Sequence, residues 1–179
     1  PIRINDLIEV PTASTSLTIM GWGISDKVTG SSADIFQEAD VTYVPNTICA
    51  RIREKGGFSL GSELTGDMMC AGAKGIDSCQ GDSGSPLISR GGTPEEDIQV
   101  GVVSWGIGCA GPIPGVYSRL STMYGWIRHT ICNKSSDPPG HWQCDTPAPS
   151  QAPSIAPTFD QPSNVASGSP TIVDLTDND

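Results

Sequence analysis

No run of apolar residues in this 179-residue sequence approaches the length needed to cross a bilayer as a helix, so no membrane span is expected. No C-x-x-C pair and no His-rich cluster of zinc spacing occurs, and no metal or cofactor is called for. Histidine is scarce, limited to His129 and His141. Basic residues are missing from the C-terminal part: all 10 Lys and Arg lie at or before Lys134, together with 14 acids, while 6 further acids follow. With a formal charge of -10, of which -4 belongs to residues 1–134, the chain repels phosphate backbones, and nucleic acid is a poor partner for it. A signal peptide and an initiating methionine are also lacking. Processing or truncation is therefore expected to have removed what preceded Pro1.

What is present is a chain long enough for one ordinary domain with something left over, carrying an even six cysteines. That count, without metal-site spacing, points to disulfides and an oxidising, extracellular setting.

From Asn133 onward the composition shifts to Pro, Ser, Thr and Asp with almost no aliphatic clustering. Such a segment buries too little surface to offset chain entropy, so 133–179 reads as a tail, with 145–179 disordered and a candidate for O-glycosylation. Asn133-Lys134-Ser135 is an N-glycosylation sequon. Residues 1–16 are rich in Pro, Thr and Ser and read as an extended connector. Between these ends, 17–132 reads as an all-β domain closed by a helix. Leu17–Met20, Phe36–Val44, Met68–Ala71, Leu87–Ser89, Ile98–Trp105 and Val116–Arg119 have strand patterning, the fifth as a continuous apolar run. Ser25–Ala33 reads as an exposed loop, and Lys55–Asp67 as a long one. Asn46 is placed to cap a short helix with Ile48, Cys49 and Ile52 on one face, closing at Gly56-Gly57. Ser121 is placed to cap a terminal helix whose Met123, Trp126, Ile127 and Ile131 stripe is expected to seal the domain.

One stretch carries chemistry: Asp77-Ser78-Cys79-Gln80-Gly81-Asp82-Ser83-Gly84-Ser85-Pro86. A serine hydroxyl attacks a carbonyl only with a base beside it and N–H donors to hold the developing charge. Ser83 is the candidate nucleophile. Gly81, lacking a Cβ, lets the backbone turn so that the N–H groups of Gly81 and Ser83 converge on one oxygen. Taken alone, Gly-Asp-Ser-Gly is an ordinary surface turn. The competing nucleophile elbow requires glycine where Ser85 stands and a helix after it, whereas Pro86-Leu87-Ile88 reads as a strand.

The same stretch, followed by Ser104-Trp105-Gly106 with Cys109 and by Gly115-Val116-Tyr117, and preceded by Gly21-Trp22-Gly23, resembles the second half of a trypsin-like (chymotrypsin-family) serine protease. The resemblance runs from about Pro1 to Cys132. It implies the second six-stranded antiparallel barrel of a two-barrel fold, with a C-terminal helix. It implies a peptidase acting on protein or peptide substrates after Arg or Lys, with Asp77 on the floor of the primary pocket. Gly106 and Gly115 would leave the pocket walls open, and Ser104 to Gly106 would pair with the substrate backbone. Asp82 would accept the amine freed by zymogen cleavage. The segment Ala110–Pro114 is shorter than in usual trypsins and alters the pocket rim.

The resemblance also implies the pairs Cys49–Cys70 and Cys79–Cys109, and the loss of another bridge at Leu17 and Ser89. Cys132 and Cys144 are left either to pair with each other or to reach upstream sequence. Neither His129 nor His141 resembles the family's catalytic histidine, whose motif, like the triad aspartate, lies upstream. The expected partner is thus a missing N-terminal barrel of the same protein, without which the segment is inactive. The alternative is a non-catalytic protease homologue serving as a binding module, against which the intact Ser83 motif argues; a structural, mucin-like reading rests only on the tail.

Overall fold

The computed structural model describes residues 2–26, 28–53, 59–142 and 144. The chain divides into two units, 1–148 and 149–179, and every described residue belongs to the first. The expectations for 145–179 and for a helix end at Gly56-Gly57 lie outside the described residues.

Nine strands and two α-helices follow one another as β1 (Arg3–Ile4), β2 (Ser16–Gly21), β3 (Ile24–Asp26), β4 (Ser31–Ser32), β5 (Gln37–Val44), α1 (Asn46–Cys49), β6 (Met68–Gly72), β7 (Pro86–Ser89), β8 (Ile98–Trp105), β9 (Gly115–Arg119) and α2 (Leu120–Lys134) among the described residues. Six of them run in the order β8-β7-β2-β5-β6-β9, all antiparallel, and β9 returns to β8. Closing the sheet removes its edges and gives a six-stranded barrel. Outside the ring, β1 adds to β8 in parallel at Ile98 and Gln99.

Alternation explains the interior. On β5, Val41 and Tyr43 are buried while Glu38, Asp40 and Thr42 face solvent. Leu17, Ile19, Val41, Tyr43, Met69, Leu87, Val100, Val103 and Tyr117 fill the barrel. Each such side chain contributes roughly 1.5–3 kcal/mol relative to exposure. Strands β6 and β9 bury both faces, because Cys70 and Val116 point away from the barrel into a second cluster with Cys49, Leu60 and Ile113. On the outer face Thr18 Oγ1 donates to Asp40 at 3.0 Å and accepts from Arg90 Nε at 3.0 Å.

All three disulfides are present: Cys49–Cys70, Cys79–Cys109 and Cys132–Cys144. The last resolves the open choice for Cys132 and Cys144 in favour of their mutual pairing. Leu17 is buried in the barrel, and the register that sets Thr18 against Ile88 brings Leu17 opposite Ser89.

Five local expectations are corrected. Ser25–Ala33 is not only loop: β3 and β4 form a two-stranded hairpin there. Asp26 organises its turn, and the N–H of Val28, then the hydroxyl and N–H of Thr29, lower its carboxyl pKa. Within Lys55–Asp67 a 3-10 turn forms at Leu60–Ser62, drawn in because Leu60 is fully buried. Asn46 does not cap α1; its Nδ2 donates across to the carbonyls of Thr65 and Met68 at 3.2 and 3.0 Å, tying that loop down. Helix α2 starts without a side-chain cap, with Ser121 Oγ buried and, among the described residues, unpaired. Met123 and Trp126 do not seal the domain, being 38% and 64% exposed, and Leu120 is the buried residue of the helix.

The stretch after α2 folds back. Trp142, in a 3-10 turn, is buried and meets Tyr124 edge-on at 6.1 Å between ring centroids. Arg128 holds the Trp142 carbonyl through Nε at 3.0 Å and Nη2 at 2.7 Å, and Cys132–Cys144 closes the turn. Among the described residues no helix is long and apolar enough to cross a membrane.

Candidate active site

The Ser83 loop leaves the Cys79 region and enters β7 at Pro86. Its shape follows from two glycines in left-handed conformation, Gly81 at φ +97° and Gly84 at φ +85°. At Gly81 a Cβ would also meet Gly23 Cα at 3.0 Å, so only glycine lets these two segments touch. The loop is fastened to β8 by Gly84 N–H donating to the Val103 carbonyl (3.0 Å) and Val103 N–H donating to the Ser85 carbonyl (2.9 Å). Ser83 is thereby set beside the strand end that carries Ser104, Trp105 and Gly106. Ser83 is exposed, and among the described residues neither its hydroxyl nor the N–H groups of Gly81 and Ser83 have a protein hydrogen-bond partner.

Asp82 ties the same loop to the Gly21–Gly23 segment. Its Oδ1 accepts from Gly23 N–H at 2.8 Å and its Oδ2 from Cys79 N–H at 2.9 Å, while Ile24 N–H donates to the Gln80 carbonyl at 2.9 Å. A cavity of about 230 Å³ lies against Asp82, with Ile19, Gly23, Val103 and Ala110 in its wall. Asp77 borders the same cavity.

Asp77 belongs to the turn that precedes the loop. Its Oδ1 accepts from Ser78 N–H at 2.9 Å and its Oδ2 from Ala110 N–H at 3.2 Å. Ala110 reaches that position in a left-handed conformation, φ +52°. The carboxylate abuts Gly115, where a Cβ would stand 2.5 Å from Oδ1. Just past the pairing of Trp105 with Val116, a Cβ on Gly106 would stand 3.8 Å from Gly115 Cα, so the two glycines face one another at the strand ends. Cys79–Cys109 spans the two loops. A second cavity, about 510 Å³, opens between residues 72–77 and 110–114 with Asp77 on its wall. Neither cavity is lined by Ser83, Ser104, Trp105 or Gly106. Ser104 and Gly106 are exposed, whereas Trp105 packs partly buried on the second core cluster.

Sequence reasoning missed Ser78 and Tyr117 as members of the site. Their hydroxyls meet at 3.3 Å beneath Asp77. Burial pushes the Tyr117 phenol up to about 12, and the nearby carboxylates of Asp77 and Asp82 push the same way against the opposing pull of the Ser78 hydroxyl. Position next to Asp77 was the one signal for Ser78. The two histidines sit elsewhere: His129 is exposed on α2, its ring nitrogens 3.2 and 3.4 Å from Asn133 Nδ2, and His141 is exposed beside Trp142.

A closed antiparallel barrel with a glycine-framed serine on one rim and a helix after its last strand is the architecture of the trypsin-like proteases. The sequence pattern of the family described as Trypsin matches residues 1–127, and the chain belongs to that family. It is 37% identical over 118 residues to trypsin beta of Drosophila erecta, covering 65% of this chain and 43% of the relative. With tryptase of Mus musculus it shares 37% over 145 residues, 73% of this chain and 52% of the relative. Neuropsin, a serine protease expressed in the limbic system of mouse brain, superposes with a TM-score of 0.61 at 30% identity, over 73% of this chain and 53% of that one. The chain spans about half the length of the relatives it matches.

Proposed function

We propose that this chain is the nucleophile-bearing half of a secreted serine endopeptidase that cleaves after Arg or Lys. In that reading Ser83 Oγ attacks the scissile carbonyl, and the N–H groups of Gly81 and Ser83 hold the oxyanion of the tetrahedral intermediate. The histidine that takes the Ser83 proton, and the aspartate that orients it, come from an N-terminal barrel outside these residues.

The observation that carries specificity is the carboxylate of Asp77 lying against Gly115, braced by Cys79–Cys109 and joined to the Ser83 loop through the same turn. A basic side chain entering past Gly106 and Gly115 meets a charge already oriented by two backbone donors, so little reorganisation is needed on binding. Ser104 to Gly106, exposed at the end of β8, offers backbone groups to an extended substrate. Asp82 accepts the amine created by activation cleavage, and the cavity beside it, apolar at Ile19 and Val103, suits an aliphatic N-terminal residue.

The test is a peptide-library profile of the complete protein and its Asp77→Ser variant. The parent is expected to cleave after Arg and Lys. Removing one partner of a buried charge pair costs about 2–5 kcal/mol, so the variant should lose roughly 30-fold to several-thousand-fold in kcat/KM on those substrates. A parent that prefers aromatic residues would refute the reading.

A further inference from the structure

We propose that Asn133 carries an N-linked glycan. Among the asparagines with two residues after them in the sequence, Asn133-Lys134-Ser135 is the single Asn-x-Ser/Thr match: Asn5 is followed by Asp6-Leu7, Asn46 by Thr47-Ile48, and Asn164 by Val165-Ala166. The motif works only if three further conditions hold, and the fold meets each of them.

The first is access. Asn133 and Lys134 form the last turn of α2, Ser135 follows in extended conformation at φ -83° and ψ 135°, and all three are exposed. Asn5, by contrast, is 3% exposed and spends its amide on the carbonyls of Leu7 and Val10. The second is compartment. Glycan transfer and disulfide formation take place in the same secretory lumen, and all cysteines are bridged, with none free. One bridge starts at Cys132, next to the acceptor itself.

The third is compatibility with the folded helix end. Asn133 Nδ2 donates to the His129 carbonyl at 2.7 Å. In the transfer, the amide nitrogen attacks the anomeric carbon of a lipid-linked oligosaccharide pyrophosphate. A C–N bond forms, the C–O bond to phosphate breaks, the lipid pyrophosphate leaves, and Nδ2 gives up one proton. The product is still a secondary amide with one N–H. That hydrogen keeps the bond to the His129 carbonyl, and the sugar takes the place of the hydrogen facing the exposed His129 ring, 3.2 Å away, so the ring turns aside while the last turn of α2 stays intact. It stands at the point where the folded body passes into the Cys132–Cys144 loop, projecting a bulky polar group into solvent.

Secretion of the complete protein from eukaryotic cells, followed by peptide:N-glycosidase digestion and peptide mapping, tests this. The expected result is conversion of Asn133 to aspartate in the peptide map, with a glycan mass on that peptide before digestion. Ser135→Ala should be secreted with Asn133 recovered as asparagine, and Ser135→Thr, which retains the motif, should keep the conversion. Secreted, folded parent protein whose Asn133 is recovered as asparagine would overturn the proposal, as would conversion of Asn133 that survives Ser135→Ala. Asn46 serves as the internal control and should be recovered as asparagine throughout.

Discussion

The Oδ1 atom of Asp77 lies where a side chain on Gly115 would have to be, 2.5 Å from an ideally placed Cβ. The opposing strand end offers no such conflict: at Gly106 the nearest atom to an added Cβ is 3.8 Å away. A methyl group is therefore tolerated sterically at Gly106 and not at Gly115. Gly115→Ala is expected to displace the carboxylate and cost about a hundredfold in kcat/KM on arginyl substrates, close to 2.7 kcal/mol at 1.36 kcal/mol per decade. Gly106→Ala should narrow the entrance without moving Asp77, and so affect KM more than kcat. Steady-state kinetics of the two variants check this; equal losses would contradict it.

Tyr117 gives a pH dependence with a defined sign. Its hydroxyl is held protonated up to about 12 in the folded protein, against an ordinary value of 10.0. A raised folded value means the folded state keeps a proton that the unfolded state releases above pH 10. Its contribution to stability is full below pH 10 and declines between about 10 and 12, by on the order of 2–3 kcal/mol for a two-unit shift. Tyr117→Phe should flatten that part of the stability curve. Denaturant melts at stepped alkaline pH, parent against variant, measure it.

Much of the barrel was legible because its signal is local. Alternation on Gln37–Val44 and the apolar run Ile98–Trp105 reflect residues meeting the same core, so period and burial agree. The cysteine pairs Cys49–Cys70 and Cys79–Cys109 followed from the family resemblance and are present. What failed depended on partners far along the chain. Asn46 has the right type for a cap, but it stands one residue inside the helix, after Pro45, and turning its Nδ2 to the carbonyls of Thr65 and Met68 leaves its Oδ1 without a helix N–H to accept from. Trp126 sits at helical spacing with Met123 and Ile127, yet it is 64% exposed, and the aromatic buried against α2 is Trp142, sixteen residues on. The hydroxyl pair of Ser78 and Tyr117 joins two segments 39 residues apart and leaves no periodic trace.

The fold-back after α2 should contribute measurably to stability. Cys132 and Cys144 close a loop of sequence separation 12. Removing such a cross-link releases loop entropy to the unfolded chain worth about 3 kcal/mol. The double variant Cys132→Ala/Cys144→Ala is expected to lose roughly that amount, with faster amide exchange at the end of α2 and little change around Ser83. If the double variant is as stable as the parent, the Arg128 bonds to the Trp142 carbonyl hold the turn alone, which Arg128→Ala in the same background would reveal.

The chain from 1 to 179, produced alone in an oxidising system, should fold and yet fail to hydrolyse arginyl substrates. A closed barrel with three bridges has what it needs to be compact. On the proposed reading catalysis needs a base against Ser83 Oγ, and both histidines are engaged at the C-terminal end, His129 with Asn133 and His141 beside Trp142. Removing the base or nucleophile from a catalytic triad lowers kcat by on the order of a millionfold, leaving only what the oxyanion hole and binding supply. Asp82 adds to the deficit. Its oxygens are tied to the Gly23 and Cys79 N–H groups, and the amine that would complete its shell is not among the described residues. A chromogenic arginyl substrate is the assay, with the complete protein as the positive control. Turnover by residues 1–179 near that of the control, abolished by Ser83→Ala, would mean that a base resides within this chain and that the two-barrel reading of its chemistry is wrong.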